Sequence, residues 1–279
     1  MIEILLATYN GSEYLAEQID SLFAQSVEDW ILLVHDDGSS DQTCKIVREF
    51  QKKHPKKIYF FEDGVETGGA KNNFSHLISY SKSNYVMFCD QDDVWLPHKI
   101  EKTYSKMKEC EILFPGKPIL IHTDLKVVGK NLDLIATSMF DYQKLTKTPS
   151  FDELLIQNNV TGCTCMVNRK ALNKSMPIPD AALMHDWWLA LTVVNQFGCI
   201  CFLNESTILY RQHGSNAAGA KKINATYFWR KSMKLMSFVS NIYKVKKQAD
   251  CLKTVCIIKI ISYKVYLTFI RVCRGILWT

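Results

Sequence analysis

The fold class the sequence predicts is α/β, a parallel, doubly wound sheet with helices on its faces. Three observations predict it. Short apolar runs of strand length alternate with helical patterns over residues 3–90. The spacing leaves room for one helix per crossover, which gives parallel strands and right-handed connections. Each run also ends abruptly in polar or acidic residues, as strands do where they reach the rim of such a sheet.

The elements follow in order. EILLAT (3–8) is a strand that stops at Thr8, Tyr9 and Asn10. Residues 12–26 form a helix, with Ser12 as N-cap and Tyr14, Leu15, Ile19, Leu22 and Phe23 on one face. WILLVHDD (30–37) is the second strand, and SSDQTCKIVREFQKK is a helix with a start rich in capping residues. KIYFFE (57–62), GAKNNFSHLISYS and YVMFCD (85–90) continue as strand, helix, strand. Thr8–Asn10, Asp36–Asp37 and Asp90–Asp93 therefore line the rim of one cleft. After residue 110 the pattern loosens. PILIHTDLKVV (118–128) is a strand on the far side of the same sheet. NNVTGCTCMVNRKAL is a loop, a short strand and a helix start; MHDWWLALTVVNQFG (184–198) is an apolar helix opening on His185 and Asp186. CICFLNESTILYRQHGSN holds one or two strands and a polar loop.

Composition narrows the class. With 279 residues, 47% hydrophobic and 22% charged, the chain suffices for a core plus an appendage. The ten cysteines form no CxxC and no zinc-site spacing, so they are expected as buried thiols in a reducing compartment. Met1 leads straight into the first strand without a basic leader, which points to the cytoplasm. The net charge of +6 divides into +12 over residues 221–279 and −6 over residues 1–220. The expected organisation is a body, 1–220, and a basic helical tail, 221–279.

No glycine-rich phosphate loop is present: the turn after the first strand reads ATYNGSEY, and GxxxxGK[ST] is absent. A diphosphate would then be neutralised by a divalent cation, Mn²⁺ or Mg²⁺, on hard oxygen ligands. Asp90 and Asp92, one residue apart at a strand end, suit that role, with Asp92 the direct ligand and Asp93 capping or orienting its neighbours.

ATYNGSEYLAEQIDSLFAQS, LLVHDDGSSDQT and FCDQDDVWLPHK together resemble the family 2 glycosyltransferases of the GT-A fold. NVTGCTCMVNR, LMHDWWLAL and LYRQHGSN are similar to the branch containing bacterial α-L-rhamnosyltransferases of capsule, O-antigen and cell-wall polysaccharide assembly. The resemblance spans roughly residues 2–220. It implies a Rossmann-like mixed sheet flanked by helices, with a C-terminal helical extension. It also implies an inverting, metal-dependent transfer of a sugar from a nucleoside diphosphate. Thr8 and Tyr9 would pack on the base, and Asp37 would accept the imide N–H of uracil or thymine. Asp36 and Asp41 could instead cap the next helix, the reading preferred for Asp41. Lys71 would reach the nucleotide or diphosphate, or else lie solvated, and Arg211 would reach the diphosphate. His213 would join Asp90 and Asp92 on the metal, and Asp186 would be the base that deprotonates the acceptor. Asn159, Thr161, Gly162 and Cys163 would line a sugar pocket. Trp187 or Trp188 would stack on a sugar, the other lying in the core, and His185 would only support Asp186. The implied donor is dTDP-β-L-rhamnose, with a UDP-hexose as the alternative. The implied acceptor is a polyprenyl-diphosphate-linked oligosaccharide. The other reading is a catalytically silent sugar-nucleotide or glycan-binding module.

In CLKTVCIIKIISYKVYLTFIRVCRGILWT, Lys253, Lys264 and Arg271 fall nearly on one line of a helix, Arg274 is close by, and the rest is apolar. That pattern predicts an interfacial helix on the inner face of the cytoplasmic membrane, or else a docked helix or homodimer surface. Basic residues set among aliphatic ones do not track phosphates, so no nucleic-acid partner is expected.

Overall fold

The computed structural model describes residues 1–214 and 235–276. Four strands form the expected parallel half-sheet: β1 (Ile2–Thr8), β2 (Trp30–Asp36), β3 (Ile58–Phe61) and β4 (Tyr85–Cys89), ordered β3-β2-β1-β4. Ile2 pairs with both Trp30 and Tyr85, so all three strands bring their carboxyl ends to one rim. Three helices cross between them: α1 (Leu15–Phe23), α2 (Thr43–Lys53) and α3 (Ala70–Tyr80). Alternate residues face opposite layers. Leu5, Leu33, Val86 and Phe88 pack on one side with Phe74 and Leu77 of α3; Ile4, Leu6, Leu32, Val34 and Met87 pack on the other with Leu15, Ile19 and Leu22 of α1.

The second half of the sheet is mixed. β5 (Val94–Trp95), β6 (Ile119–Val128), β7 (Leu134–Ala136), β8 (Met166–Asn168) and β9 (Cys199–Arg211) continue it in the order β4-β8-β6-β9-β5, with β7 on β6. β8 runs antiparallel to both β4 and β6, whereas β6 and β9 are parallel. CICFLNESTILYR is thus one long strand. Helices α4 (Lys99–Leu113), α5 (Met139–Gln143), α6 (Phe151–Ile156), α7 (Arg169–Ser175) and α8 (His185–Asn195) cover this half.

Two expectations are corrected. Ser12 is not an N-cap: the first helix begins at Leu15, because the Gly11 carbonyl accepts the amides of Tyr14 and Leu15 in a preceding turn. The Ser12 amide is instead held by Asp41 Oδ2 at 3.0 Å. The helix also ends earlier, at Phe23.

The boundary expected at 220/221 lies outside the described residues. Beyond it, α9 (Leu235–Asp250) and α10 (Ile257–Ile276) pack on the body, burying Ile242, Val245, Val255, Ile260 and Leu267 against the α3–α8 layer. The expected basic line is broken: Lys253 precedes α10, where it lies over the Phe151 ring at 4.1 Å, and Lys264 on the helix bonds Asn241. Lys259, off that line, also faces the body, pairing with Asp152 at 2.9 Å. Ile258, Ile261, Val265, Tyr266 and Phe269 are what face outward. Arg271 and Arg274 lie outside the residues whose side chains are described. Among the described residues, no helix is long and apolar enough to cross a membrane.

Candidate active site

β1 delivers two residues of opposite character to the rim. Thr8 is buried and donates its hydroxyl to Asp36 Oδ2 at 2.7 Å. It orients a carboxylate rather than packing on a base, as the sequence suggested, because strand alternation turns it inward. Tyr9 is 56% exposed. Its N–H donates to Gln91 Oε1 and its carbonyl accepts from Gln91 Nε2, both at 2.9 Å. Gly11 permits this clamp, since a Cβ there would stand 2.3 Å from the Gln91 amide carbon.

The turn after β2 is dense in hydrogen bonds. Asp36 accepts the Ser39 amide at 2.7 Å and the Ser39 hydroxyl at 2.6 Å. Asp37 accepts the Thr67 hydroxyl at 2.9 Å and the amides of Gly68 at 3.1 Å, Gly69 at 2.7 Å and Thr67. Burial pushes Asp37 up, but these donors outweigh it and hold the carboxyl below its usual range. Asp41 Oδ1 accepts the Thr43 amide at 2.9 Å just ahead of α2, but it is not the cap the sequence suggested: Gln42 holds that position. Asp36 does not cap; its donors are Ser39 in the turn and Thr8 of β1.

The rim after β4 is different. Asp90 is pushed up to about 7 by burial, then by the charges of Asp92 and Asp186. Asp93 is wholly buried and pushed well above its ordinary value by burial and by Asp92 and Asp90. Its Oδ1 accepts the Arg211 amide at 3.1 Å, while its Oδ2 has no protein partner. Asp92 Oδ2 meets His213 Nε2 at 2.8 Å, and the His213 ring leans on Tyr14 at 4.9 Å.

Asp186 sits in the first turn of α8 and is buried. Its Oδ1 accepts Asn158 Nδ2 at 3.0 Å and the Trp187 amide at 2.6 Å; its Oδ2 accepts the Gly162 amide at 2.8 Å. Burial pushes it up to about 6 despite those donors. Gly162 is required here. A Cβ would lie 2.8 Å from His185 Nε2, and His185 is wedged between Phe74 at 4.1 Å and Phe88 at 5.1 Å. That packing pushes His185 down to about 3, so it is neutral and only supports its neighbour.

Residues 3–175 match the model of the family described as glycosyl transferase family 2. The chain belongs to that family. As a family 2 glycosyltransferase it is an enzyme of sugar transfer. It is 30% identical over 196 residues, 70% of each chain, to the UDP-Glc:alpha-D-GlcNAc-diphosphoundecaprenol beta-1,3-glucosyltransferase WfgD of Escherichia coli. It is 27% identical over 234 residues, 77% of this chain and 74% of the other, to the dTDP-rhamnosyl transferase RfbG of Shigella flexneri. Among solved structures, the mannosyltransferase PcManGT from Pyrobaculum calidifontis in complex with GDP-Man and Mn²⁺ superposes with TM-score 0.61 at 12% identity, covering 96% of this chain and 80% of the other. That likeness shows the GT-A-type fold.

In this glycosyltransferase the fold gathers Asp90, Asp92, Asp186 and His213 as the sequence implied, and it adds Asp93. Several other assignments change. Arg211 does not extend toward a diphosphate. It is buried over the Tyr14 ring, donating to the carbonyls of Asp92 at 2.8 Å and Lys130 at 2.6 Å and to Glu17. A guanidinium this enclosed needs every donor matched, so it staples the acid loop to α1. Trp187 and Trp188 are both core, because each indole N–H finds a buried carbonyl, those of Leu154 and Ser175. Lys71 donates to the Asp180 carbonyl at 3.0 Å. Asn159 is buried and bonds the Thr146 carbonyl at 3.0 Å, and Thr161 opens the turn that carries Gly162. The residue that touches Asp186 is Asn158. In the Asn-Asn pair nothing marks which side chain faces the cleft, so the sequence did not find it. Gln91 and Gly11 were also missed, although a small residue after a strand end was a signal.

The rim fits a divalent metal. Its donors are hard carboxylate oxygens and one imidazole, and a crowd of acids with an orphaned buried oxygen calls for positive charge. The side chains of Asp90, Asp93 and Cys163 converge within 4.8 Å. Burial, then Asp93 and Asp90, pushes the Cys163 thiol far up, so it stays protonated and is a weak donor to the carboxylates rather than a thiolate ligand. The pairing Asp90 with Asp92 is thus only half of the arrangement: Asp90 sides with Asp93, and Asp92 with His213.

Proposed function

We propose that the protein catalyses inverting transfer of a hexose from a pyrimidine nucleoside diphosphate to a lipid-linked glycan acceptor, with Asp186 as the base. The observation that carries this is the Asp186 carboxylate, buried beside the acid rim yet held by Asn158, Gly162 and Trp187 and pushed up to about 6. A base of that strength is matched to neutral pH. Its Oδ2 takes one amide and retains a lone pair for an acceptor hydroxyl. As the acceptor oxygen bonds the anomeric carbon, its proton passes to Asp186. The bond from that carbon to the diphosphate oxygen breaks on the opposite face, and the electron pair leaves with the phosphate. A divalent Mn²⁺ or Mg²⁺ held by Asp92, His213 and Asp90 would supply Lewis-acid stabilisation of the leaving diphosphate.

Tyr9 offers an exposed ring at the cleft edge for the base. Asp37 Oδ2, bonded to one amide at 2.7 Å, keeps a lone pair for an imide N–H, which uracil and thymine have and cytosine lacks. Between donors, the likeness to the UDP-Glc-using enzyme at 30% identity supports a UDP-hexose over dTDP-β-L-rhamnose, the second reading at 27%. The outward aliphatic face of α10 supports a position on the inner face of the cytoplasmic membrane, beside a polyprenyl-diphosphate-linked acceptor. A second copy of the chain is the competing occupant of that face.

The test is a panel of UDP- and dTDP-sugars, each with Mn²⁺, Mg²⁺ or chelator, read by thermal shift and by transfer to a prenyl-diphosphate-linked sugar. A UDP-hexose should bind and transfer only with metal. Absence of binding by every donor with metal present would end the catalytic reading. Liposome flotation with Ile258, Val265 and Phe269 changed to Ser tests the α10 face. Unchanged flotation together with loss of a dimer in solution would give the face to a second copy.

A further inference from the structure

A second cluster of metal-ligating side chains lies away from the acid rim, and the chemistry above makes no use of it. His35 on β2, Asp63 in the loop after β3 and His76 on α3 bring one donor atom each to within 4.8 Å of one another. His35 Nε2 faces Asp63 Oδ1 at 3.2 Å, and His76 Nε2 faces Asp63 Oδ2 at 2.7 Å. The two imidazoles meet edge to face, centroids 4.5 Å apart.

The protonation of His35 can be followed from its neighbour. Asn73 donates its amide nitrogen to the carbonyls of Thr8 at 3.4 Å and His35 at 3.2 Å, so its oxygen is the atom that faces His35 Nδ1 at 2.9 Å. Nδ1 must then carry the ring's proton. Nε2, on the Asp63 side of the ring, is then the nitrogen that would serve as a ligand. Asp63 is fixed in place by the Val65 amide, which donates to its Oδ1 at 3.0 Å, and by the Tyr80 hydroxyl, which donates to its Oδ2 at 2.7 Å. A histidine whose second nitrogen donates to a side-chain or backbone carbonyl is the usual form of a metal-bound imidazole.

We propose that His35, Asp63 and His76 form a binding site for a divalent transition metal of the zinc type. Two imidazoles and one carboxylate are a zinc-class donor set, and a tetrahedral ion with bonds of about 2.0–2.2 Å sets its ligand atoms about 3.4 Å apart. The 3.2 Å between His35 and Asp63 already has that spacing. Asp63 and His76 are about a quarter exposed, so an ion enters from solvent while buried His35 closes the inner side. The ion's place is structural. It joins β2, α3 and the near end of the loop whose far end, Thr67–Gly69, is bound by Asp37.

The experiment strips the full chain with a chelator and titrates Zn²⁺ against a chromophoric competitor, with Co²⁺ spectra and thermal shift in parallel. Wild type should take up one Zn²⁺ that raises its melting temperature and, as Co²⁺, gives the intense visible band of a four-coordinate site. His76→Ala should weaken that uptake at least about 100-fold. His76→Gln, which keeps a hydrogen-bonding side chain, should lose it without lowering the stability of the metal-free protein. Asp92→Asn should retain it, which separates this site from the acid rim. The proposal is overturned if wild type binds Zn²⁺ no tighter than His76→Ala, or if Asp92→Asn alone removes the binding.

Discussion

Two groups of carboxylates stand on the same rim, and they differ in how many donors surround them. After β2, the oxygens of Asp36, Asp37 and Asp41 all meet hydroxyls or amides. After β4, Asp93 keeps an orphaned oxygen, and Asp90 is pushed up to about 7 by burial and by its acidic neighbours. The first group holds the backbone in place. The second favours the protonated form of its acids and would be relieved by a bound cation. The composition of the two turns, DDGSSD and DQDD, hardly distinguishes them; the count of available donors does.

The sharpest way to break this comparison is at Asp186, which borrows from both groups. Asp186→Asn should lower kcat by about 10³-fold while leaving donor affinity within about threefold, measured by calorimetry beside turnover. Retained turnover would mean the base lies elsewhere. Next in size is Gly162→Ala. Its Cβ would press on His185, which the two phenylalanines keep from yielding, and the displaced amide would release Asp186. A loss of about 10²-fold in kcat is expected, since a misplacement of about 1 Å has that cost.

A third measurement is the pH profile. With Asp186 raised to about 6, kcat/KM should climb about tenfold per unit below pH 6 and level above it. Asn158→Ala removes a bond that favours the carboxylate, so the midpoint should move to higher pH. The smallest effect belongs to the saturated group. Burial pushes Asp41 up, but Thr43 and Ser12 outweigh it and hold the carboxyl at about 2. A folded value below the unfolded one means its stabilisation is full above about pH 4 and is lost as pH falls through about 2. Asp41→Ala should therefore cost about 1–2 kcal/mol at pH 7 in denaturant melts, little near pH 2, and leave kcat unchanged. A large loss of turnover instead would erase the distinction between the two groups.

The parallel half of the fold was legible because each strand and helix there is long enough to show its period. The mixed half was not. β5 and β8 have two and three residues, too few for any alternation, and β8 is defined by antiparallel partners far along the chain. The start of α6 was legible and overlooked: Ser150 and Glu153 form a capping box. At the site, residue types that carry charge were found, whereas their orientation was not. Arg211 and the two tryptophans look exposed-functional in sequence, but their burial follows from carbonyls supplied by distant elements. Likewise the tail's periodicity gave a helix, but it starts at Ile257, so Lys253 lies outside it; apolar residues occupy both sides, Ile260 and Leu267 against the body and Ile258, Val265 and Phe269 outward.

The Gln91 amide has one more consequence. By gripping both backbone groups of Tyr9 it makes the end of β1 and the acid loop a single stiff piece, so the span from the exposed ring to the charged pocket is a gauge that does not stretch. On the proposed function, a nucleotide sugar laid along it would be sized from its flat end to its anionic middle. Whatever hangs beyond that is left for the other half of the protein to judge, and so enzymes sharing this gauge can diverge in cargo without rebuilding the handle by which they hold it.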